Sequence, residues 1–179
     1  MTFPGGKLHI LSFREKCFSD VEETGETYLE NSRKKARAIS EETGLPVLSD
    51  DSGLEVSALD GAPGVHSARF AGPDSTDREN LNLLLEKLQG RSDREARFIT
   101  VATLYMSSEE GYFTRGTLEG RITREPRGNT GFGYDPVFMP NGYDRTLAQL
   151  GQPEKNRISH RRKALEKMKD KLRGILRKK

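Results

Sequence analysis

The sequence predicts an α/β fold, in which a mixed central sheet is flanked by helices. Helical and strand patterns alternate along the 179 residues, and two long strand patterns follow each other as a hairpin. No internal repeat or low-complexity linker divides the chain. Because a hairpin is antiparallel, a mixed sheet fits this order better than a purely parallel one. At this length we expect a single domain over residues 1–179.

Helix starts are marked by capping residues. Thr27-x-x-Glu30 is a capping box that predicts a helix over Tyr28–Thr43, ended by Gly44. Thr76-x-x-Glu79 opens a second helix, which Gly90 ends. Ser159 caps a third. Apolar residues expected to face inward on the three helices are Leu29, Ala36 and Ile39, then Leu81, Leu84, Leu85 and Leu88, then Leu165, Met168, Leu172 and Ile175 or Leu176.

Three segments carry strand signals. Pro46–Leu48 predicts a short buried strand, with a turn forced by Ser52-Gly53. Ala96–Met106 is rich in β-branched and aromatic residues, and Tyr112–Ile122 is expected to pair with it through a turn at Ser107–Gly111. Gly120, inside the last of these strands, suggests a β-bulge.

Composition excludes several classes of protein. The chain is 33% apolar and 32% charged, and no apolar run approaches the roughly 20 residues that span a bilayer. The N-terminus has no signal-peptide pattern. A single cysteine, Cys17, cannot form an internal disulfide, which fits a reducing compartment. We therefore expect a cytoplasmic protein without a membrane partner.

Charge is distributed unevenly along the chain. Residues 155–179 contain twelve Lys and Arg against two acids, a net charge of +10, which leaves −7 for residues 1–154. A basic tail of this kind can attract nucleic acid. It is also typical of the solvated face of a terminal helix, and nucleic acid is the less favoured partner.

Acidic residues suggest a cation site. Asp50 and Asp51 follow a strand pattern, where α/β sheets usually carry their sites, and two adjacent carboxylates are compensated most simply by a divalent cation. Oxygen ligands favour magnesium. Glu22 and Glu23 precede the first helix and can join the same ion, although acids at a turn or helix start also need no ligand. Lys34 and Lys35 can face phosphate or solvent.

Two further segments suggest nucleotide binding. Pro126–Pro136 contains three glycines, two aromatic residues and an acid, so its backbone can approach a ligand closely while Phe132 stacks on a base. A plain glycine-rich turn is the alternative. Residues 154–161 lead into a helix start, where Lys155 and Arg161 supply positive charge for an anion or a purine edge. His160 alone is more often a capping or packed residue.

Five segments in the same order and spacing resemble the inosine triphosphate pyrophosphatase family, whose members act on non-standard purine nucleoside triphosphates. The matching segments are Glu22–Ser32, Ser49–Val56, Gly61–Gly72, Gly128–Pro136 and Glu154–Arg161. The similarity covers about residues 20–175. It implies an elongated mixed sheet in two lobes with a nucleotide cleft between them, a homodimer, and magnesium-dependent hydrolysis of ITP, dITP and XTP to the monophosphate and pyrophosphate.

The resemblance also implies residue roles. Asp51 would be the proton acceptor and a magnesium ligand, with Glu23 also on the metal, Glu22 a near alternative and Asp50 supporting. Lys35 and Ser52 would contact the triphosphate. The residues implied in base binding are Phe132, Gly133, Tyr134 and Asp135 as the wall of the base pocket, and Lys155, His160 and Arg161 at the base edge.

The N-terminus departs from that family. Members begin with a strand and a Thr/Ser-x-Asn-x-x-Lys turn that grips the phosphates, and only about twenty residues precede Glu22 here. Gly5-Gly6-Lys7 can be a remnant, while Lys7–Phe13 suggests a strand. We therefore expect an incomplete element within residues 1–20. The alternative function is a weakened or inactive nucleotide-binding relative.

Overall fold

The computed structural model describes residues 2–3, 6–7, 9–12, 15–106 and 109–176. Within these residues it confirms the α/β class, with a five-stranded antiparallel sheet and four α-helices. The strands are β1 (Thr2–Phe3), β2 (Gly6–Lys7), β3 (Val47–Val56), β4 (Pro63–Gly64), β5 (Glu95–Met106), β6 (Glu109–Ile122) and β7 (Phe138–Pro140). The helices are α1 (Tyr28–Thr43), α2 (Asp77–Lys87), α3 (Gln152–Ile158) and α4 (His160–Leu176), with 3-10 turns at Ser57–Leu59, Ser67–Arg69 and Leu147–Gln149.

The main sheet has the strand order β4-β3-β5-β6-β7, and β1 and β2 form a separate antiparallel pair. β4 pairs antiparallel with β3, and β7 pairs antiparallel with β6. Ser52 on β3 contacts Thr100 on β5, and Glu55 on β3 contacts Arg97 on β5. Residue numbers rise along one strand as they fall along the other, so these two strands are antiparallel. The long hairpin of β5 and β6 therefore forms the middle of the sheet, as its sequence predicts. Part of the predicted connecting turn, Ser107 and Ser108, lies outside the described residues.

The chain divides into two compact units. The first contains residues 1–51, 101–115 and 164–179, and the second contains residues 52–100 and 116–163. The second unit holds the main hydrophobic core, which α2, β3, β5, β6 and β7 supply with residues such as Leu54, Leu84 and Phe138, all 0% exposed. The polar residues that are buried in the first unit include Asn31, Ser32, Ser40, Asp51, Thr103 and Thr114. Buried polar groups need partners, so this unit is held by a network of hydrogen bonds.

Both predicted capping boxes are confirmed. Thr27 accepts a hydrogen bond from the backbone of Glu30 and starts α1 at the expected residue, while Gly44 ends it with φ of 68°. Thr76 likewise accepts a hydrogen bond from the backbone of Glu79 and starts α2 at the expected residue. Ser159 Oγ accepts from the backbone nitrogen of Arg162, 3.1 Å away, in the first turn of α4.

The predicted turn at Ser52-Gly53 is wrong, because β3 continues through these residues to Val56. Leu54 and Val56 are completely buried, so their packing carries the strand past a pair that would otherwise favour a turn. The acidic pair Asp50-Asp51 consequently lies in the middle of a strand rather than at its end.

The predicted bulge at Gly120 is also wrong. Gly120 pairs with Pro140 in a regular register that continues through the next two residues. A Cβ at this position would lie 2.4 Å from the carbonyl oxygen of Met139 and 2.6 Å from the ring of Phe138. The glycine is therefore required by the close approach of β7, which is the other role that a glycine takes within a strand.

The inward faces of two helices differ from the predicted stripes. On α1 only Ala36 of the three predicted residues is buried, and the rest of the inner face is Tyr28, Asn31, Ser32 and Ser40. On α4 the buried residues are Ala164 and Met168, whereas Leu165 is 38% exposed. The predicted stripe is therefore confirmed at Ala36 on α1 and at Met168 on α4, whereas Leu165 is wrong. On α1, polar side chains take most of the remaining buried positions, which hydrophobicity alone does not indicate.

The predicted strand over Lys7–Phe13 is only partly confirmed, because β2 ends at Lys7 and Ile10 and Leu11 are exposed outside regular structure. Leu8 and Phe13 lie outside the described residues. In the part of the chain that the structure describes, no helix combines the length and the apolar character that crossing a bilayer requires.

Candidate functional site

The predicted site residues fall into two groups, one in each compact unit. Glu23, Lys35, Asp50 and Asp51 belong to the first unit. The second unit contains Ser52 and the residues expected at the base, namely Phe132, Gly133, Tyr134, Asp135, Lys155, His160 and Arg161.

Asp51 is a buried carboxylate, only 6% exposed, on β3. Its Oδ2 accepts a hydrogen bond from Nδ2 of Asn31, 3.1 Å away on α1. Near it, Ser49 Oγ donates to the carbonyl oxygen of Ser32 at 2.5 Å, which fixes β3 against α1. The only predicted catalytic residue therefore sits on a strand that is tied directly to the helix beside it.

The first acidic segment joins the same arrangement. Gly25 donates its backbone N–H to Oδ1 of Asn31, 2.7 Å away, so the amide that contacts Asp51 also holds residues 22–25. Glu23 forms an ion pair with Lys35, and both side chains are largely buried. Glu22 is exposed, whereas Glu23 is half-buried, which favours Glu23 as the residue that acts with Asp51.

The two lysines of α1, Lys34 and Lys35, differ in their contacts and exposure. Lys34 donates to Thr24 Oγ1 at 2.8 Å and is exposed. Lys35 is half-buried and its ammonium group lies beside the carboxylate of Glu23. Of the two, Lys35 is thus the one that pairs with the acidic segment.

Asp50 and Asp51 are consecutive residues of a continuous strand, and consecutive side chains of a strand point to opposite faces of the sheet. The expectation that adjacent carboxylates jointly compensate one cation assumed a turn, which is absent at this point of β3. The geometry therefore favours Asp51 with Glu23, rather than with Asp50.

The fit of this group to magnesium rests on oxygen donors. Among the described residues, no group of three or more His, Cys, Asp or Glu side chains comes close enough to hold a metal ion. Glu23 and Asp51 provide two carboxylates, and magnesium is commonly held by one or two carboxylates, with water and substrate phosphates as its other ligands. The donor set suits such a shared site and not a closed protein cage.

In the second unit, residues 128–135 form a loop that we call the base-wall loop. Phe132 is 67% exposed, and Lys155 Nζ lies 4.7 Å from the centre of its ring. Lys155 also forms an ion pair with Asp135, which is only 4% exposed and accepts from the backbone nitrogen of Phe132 at 2.9 Å. Asp135 thus contacts both the backbone of Phe132 and the lysine that lies over its ring.

Two further contacts fix the base-wall loop. Gly133 donates its backbone N–H to Asp77 Oδ2, 2.7 Å away in the first turn of α2. The hydroxyl of Tyr134 donates to the carbonyl oxygen of Ser67 at 2.9 Å. Burial, with a smaller effect from the charge of Asp77, raises the pKa of Tyr134 well above its usual range. Tyr134 therefore stays neutral at ordinary pH and anchors the loop through this hydrogen bond.

The remaining predicted residues occupy the start of α4 and the middle of β3. His160 stacks on Phe98 with ring centroids 4.8 Å apart and planes 9° from parallel, which makes it a packed residue. Arg161 is exposed in the first turn of the same helix. Ser52 Oγ lies 2.7 Å from Thr100 Oγ1 on β5, so its hydroxyl already has a partner within the sheet.

Sequence reasoning missed Asn31 and Asp77. Asn31 stood inside a matching segment but received no role, although an asparagine on the inner face of an amphipathic helix is itself a signal of a buried polar contact. Asp77 reads in sequence as a first-turn acid that complements the helix dipole. Its hydrogen bond to Gly133 is a contact between residues 56 positions apart, which no local pattern reveals.

A cavity of about 560 Å³ in the second unit contains none of the predicted site residues. Four carboxylates, those of Glu55, Asp60, Glu95 and Glu119, line it together with Arg97. Arg97 is paired with Glu55 at 2.7 Å. The acidic excess would repel a triphosphate, so this cavity is a poor candidate for the nucleotide site.

Comparisons with known proteins agree with the resemblance predicted from the five segments. The model of the Ham1 family matches residues 5–171. A dITP/XTP pyrophosphatase of Bacillus licheniformis is 50% identical over 151 residues, which cover 83% of this chain and 77% of the relative. A dITP/XTP pyrophosphatase of Coxiella burnetii is 48% identical over 166 residues, which cover 90% of this chain and 83% of the relative.

Solved structures give the same result. The Ham1 protein of Staphylococcus aureus has a TM-score of 0.83 and 43% identity, and the match covers 87% of this chain and 81% of that one. A HAM1 protein from Coxiella burnetii has a TM-score of 0.81 and 46% identity, covering 90% and 82% respectively. The family match, the identities and the shared fold together show that the chain belongs to the Ham1 family.

Proposed function

We propose that the chain is a magnesium-dependent nucleoside triphosphate pyrophosphatase. It would hydrolyse non-standard purine nucleoside triphosphates, namely ITP, dITP and XTP, to the monophosphate and pyrophosphate. The observation that carries this proposal is the buried Asp51 carboxylate, which Asn31 links to the segment bearing Glu23. The relatives named dITP/XTP pyrophosphatase support the substrate class.

In the proposed reaction, the oxygen of a water molecule attacks the α-phosphorus, and Asp51 accepts a proton from that water. The bond between the α-phosphorus and the bridging oxygen then breaks, and pyrophosphate leaves with that oxygen. Lys35 and Ser52 would contact the triphosphate, where a lysine offsets negative charge in the transition state. Magnesium held by Glu23 and Asp51 would supply charge neutralisation on the phosphates.

The base would be held by residues of the second unit. The exposed ring of Phe132 offers a face for stacking, and Gly133, Tyr134 and Asp135 shape the wall behind it. Lys155, His160 and Arg161 would read the base edge. Donors such as Arg161 would favour a 6-oxo purine, because an adenine amino group would leave each donor unpaired at a cost of about 1–3 kcal/mol.

A homodimer and a cytoplasmic location belong to the same proposal. The homodimer follows from the family resemblance alone. The cytoplasmic location is supported by the single cysteine of the sequence, Cys17, which excludes an internal disulfide.

The direct test is pyrophosphate release from ITP, XTP, GTP and ATP in the presence of magnesium. We expect release from ITP and XTP to exceed release from ATP, and Asp51→Asn to abolish it, because the amide cannot accept the water's proton. Asp60→Asn is the matched control. It makes the same chemical change at a carboxylate that lines the acidic cavity instead, and it should retain the parent rate.

Two results would count against the proposal. Absence of release from all four nucleotides, with Asp51→Asn indistinguishable from the parent, would remove the enzymatic claim. Binding of ITP without turnover, measured by titration calorimetry, would instead identify a nucleotide-binding relative that has lost the reaction.

A further inference from the structure

We propose that Asn31 is a positioning residue, which holds the carboxylate of Asp51 and the segment bearing Glu23 in one fixed arrangement. The inference rests on the proposed function, because a positioning role requires that Asp51 and Glu23 act on the substrate. It assigns to Asn31 a part in the reaction without contact to the substrate.

The first observation is that the amide of Asn31 is used at both ends. Its Nδ2 donates to Asp51 Oδ2 at 3.1 Å, and its Oδ1 accepts from the backbone nitrogen of Gly25 at 2.7 Å. Asn31 is 0% exposed, so no water competes for either contact. Only an amide side chain offers a donor and an acceptor on one planar group of this size. The two contacts therefore require asparagine itself at this position.

The second observation is the close approach of Gly25. A Cβ added there would lie 2.7 Å from Oδ1 of Asn31 and 2.7 Å from Cβ of Glu30. The backbone of residue 25 reaches Asn31 only because it has no side chain. The contact between α1 and the acidic segment thus requires both the amide of Asn31 and a glycine at position 25.

The third observation is the spacing along α1. Lys35 lies four residues after Asn31, one helical turn away, so both occupy the same side of the helix. Lys35 pairs with Glu23, while Asn31 holds Gly25 two residues further along the same segment. α1 therefore contacts the acidic segment through Lys35 and Asn31 and contacts Asp51 through Asn31. One helix thus positions both carboxylates of the proposed phosphate chemistry.

A second buried asparagine shows what a purely structural role looks like. Asn80 is 2% exposed on α2, and its amide also uses both ends. Oδ1 accepts from the backbone nitrogen of Ala71 at 2.7 Å, and Nδ2 donates to the carbonyl oxygen of Ala68 at 3.0 Å. It ties down a connecting segment and touches no carboxylate. Asn80 is thus a matched control for burial, hydrogen bonding and helical setting.

The experiment compares Asn31→Asp with Asn80→Asp. Each variant keeps the acceptor oxygen and replaces the NH₂ donor by oxygen, so Asn31→Asp retains the contact to Gly25 and replaces the contact to Asp51 by repulsion between two carboxylates. Asn31→Leu removes the contact to Asp51 without adding a charge, so it should lower kcat as well. We expect Asn31→Asp to lower kcat for ITP by about 10- to 100-fold, the usual effect of removing an outer-shell contact to a catalytic group. KM should change little. Asn80→Asp should lower Tm while kcat stays at the parent value.

A readout that does not depend on activity is amide hydrogen exchange at Gly25. Asn31→Leu removes both contacts and should speed exchange at this amide, whereas Asn31→Asp should leave it protected. Gly25→Ala, which pushes against the amide from the other side, should lower kcat as Asn31→Asp does.

The inference is overturned if Asn31→Asp keeps the parent kcat, or if Asn80→Asp loses kcat to the same extent. Unchanged exchange at Gly25 in Asn31→Leu would also contradict it. A parent protein that releases no pyrophosphate would refute the proposed function instead. The exchange comparison would then still decide whether Asn31 orders residues 22–25.

Discussion

At the residue scale, Tyr134 gives a pH-dependent prediction. In the unfolded chain its phenol ionises with the usual tyrosine pKa of about 10, whereas burial raises the pKa in the folded protein. The folded state therefore binds more protons above about pH 10, so this contribution to stability is complete below that pH and is lost as the pH rises further. Urea unfolding of the parent at about pH 8 and about pH 11 measures that loss.

Tyr134→Phe isolates the effect. The variant lacks the hydrogen bond to the carbonyl oxygen of Ser67 and should be less stable by about 1 kcal/mol at neutral pH. Its stability should fall less steeply in alkali than that of the parent. Tyr143→Phe is the control, because its hydroxyl accepts from Arg157 in an exposed contact of 3.2 Å. Equal alkaline losses in Tyr134→Phe and the parent would contradict the prediction.

The sequence indicates some of the candidate site residues and gives no sign of others. Asp51, Lys35 and Phe132 carry charge or an aromatic ring in segments whose order is specific. Asn31 and Asp77 act through contacts to residues distant in the chain, and their residue types have ordinary local explanations on a helix. The packing of His160 on Phe98 likewise depends on β5, which no local pattern near residue 160 indicates.

At the scale of elements, the N-cap of α1 should matter more for activity than the N-cap of α2. Thr27→Ala and Thr76→Ala each remove an equivalent capping contact, so each should cost about 0.5–2 kcal/mol of stability. Only α1 carries Asn31 and Lys35. We expect Thr27→Ala to lower kcat for ITP at a temperature where both variants remain folded. Thr76→Ala loosens the helix start that holds Gly133 through Asp77, so it should raise KM and leave kcat close to the parent.

Paired measurements of urea unfolding and pyrophosphate release test this difference. Both variants lose one hydrogen bond to the backbone of the third helical residue, so their stabilities serve as internal calibration. If kcat falls in proportion to the free energy of unfolding in both variants, the N-cap of α1 acts on activity only through stability.

The elements themselves were largely predictable because their signals are local. Capping boxes fixed the starts of α1 and α2, and β-branched runs fixed the long hairpin. The misplaced features depended on tertiary contacts. β3 continues through Ser52-Gly53 because Leu54 and Val56 are buried, and Gly120 serves the approach of β7 instead of a bulge. Local turn and bulge propensities were overridden by packing in both places.

For the molecule as a whole, the uneven charge does not make the basic tail a strong polyanion site. Several of its cations are already engaged with the chain. Lys155 pairs with Asp135, while Lys163 and Lys167 donate to the carbonyl oxygens of Thr117 and Arg115 at 2.8 and 2.7 Å. The remaining chain carries a net charge of −7 and repels phosphates. These features argue against a long nucleic acid as a partner of the basic tail.

We therefore expect binding of duplex DNA to be nonspecific and already weak at about 50 mM salt, because few phosphates would be neutralised, and to be undetectable at about 150 mM salt. Fluorescence anisotropy of labelled DNA measures this, with pyrophosphate release from ITP followed under the same conditions. The double variant Lys171→Glu, Arg173→Glu should retain pyrophosphate release, since neither side chain belongs to the proposed site. DNA affinity that persists at about 150 mM salt, and that this variant abolishes, would show that the tail of α4 binds nucleic acid independently of Asp51.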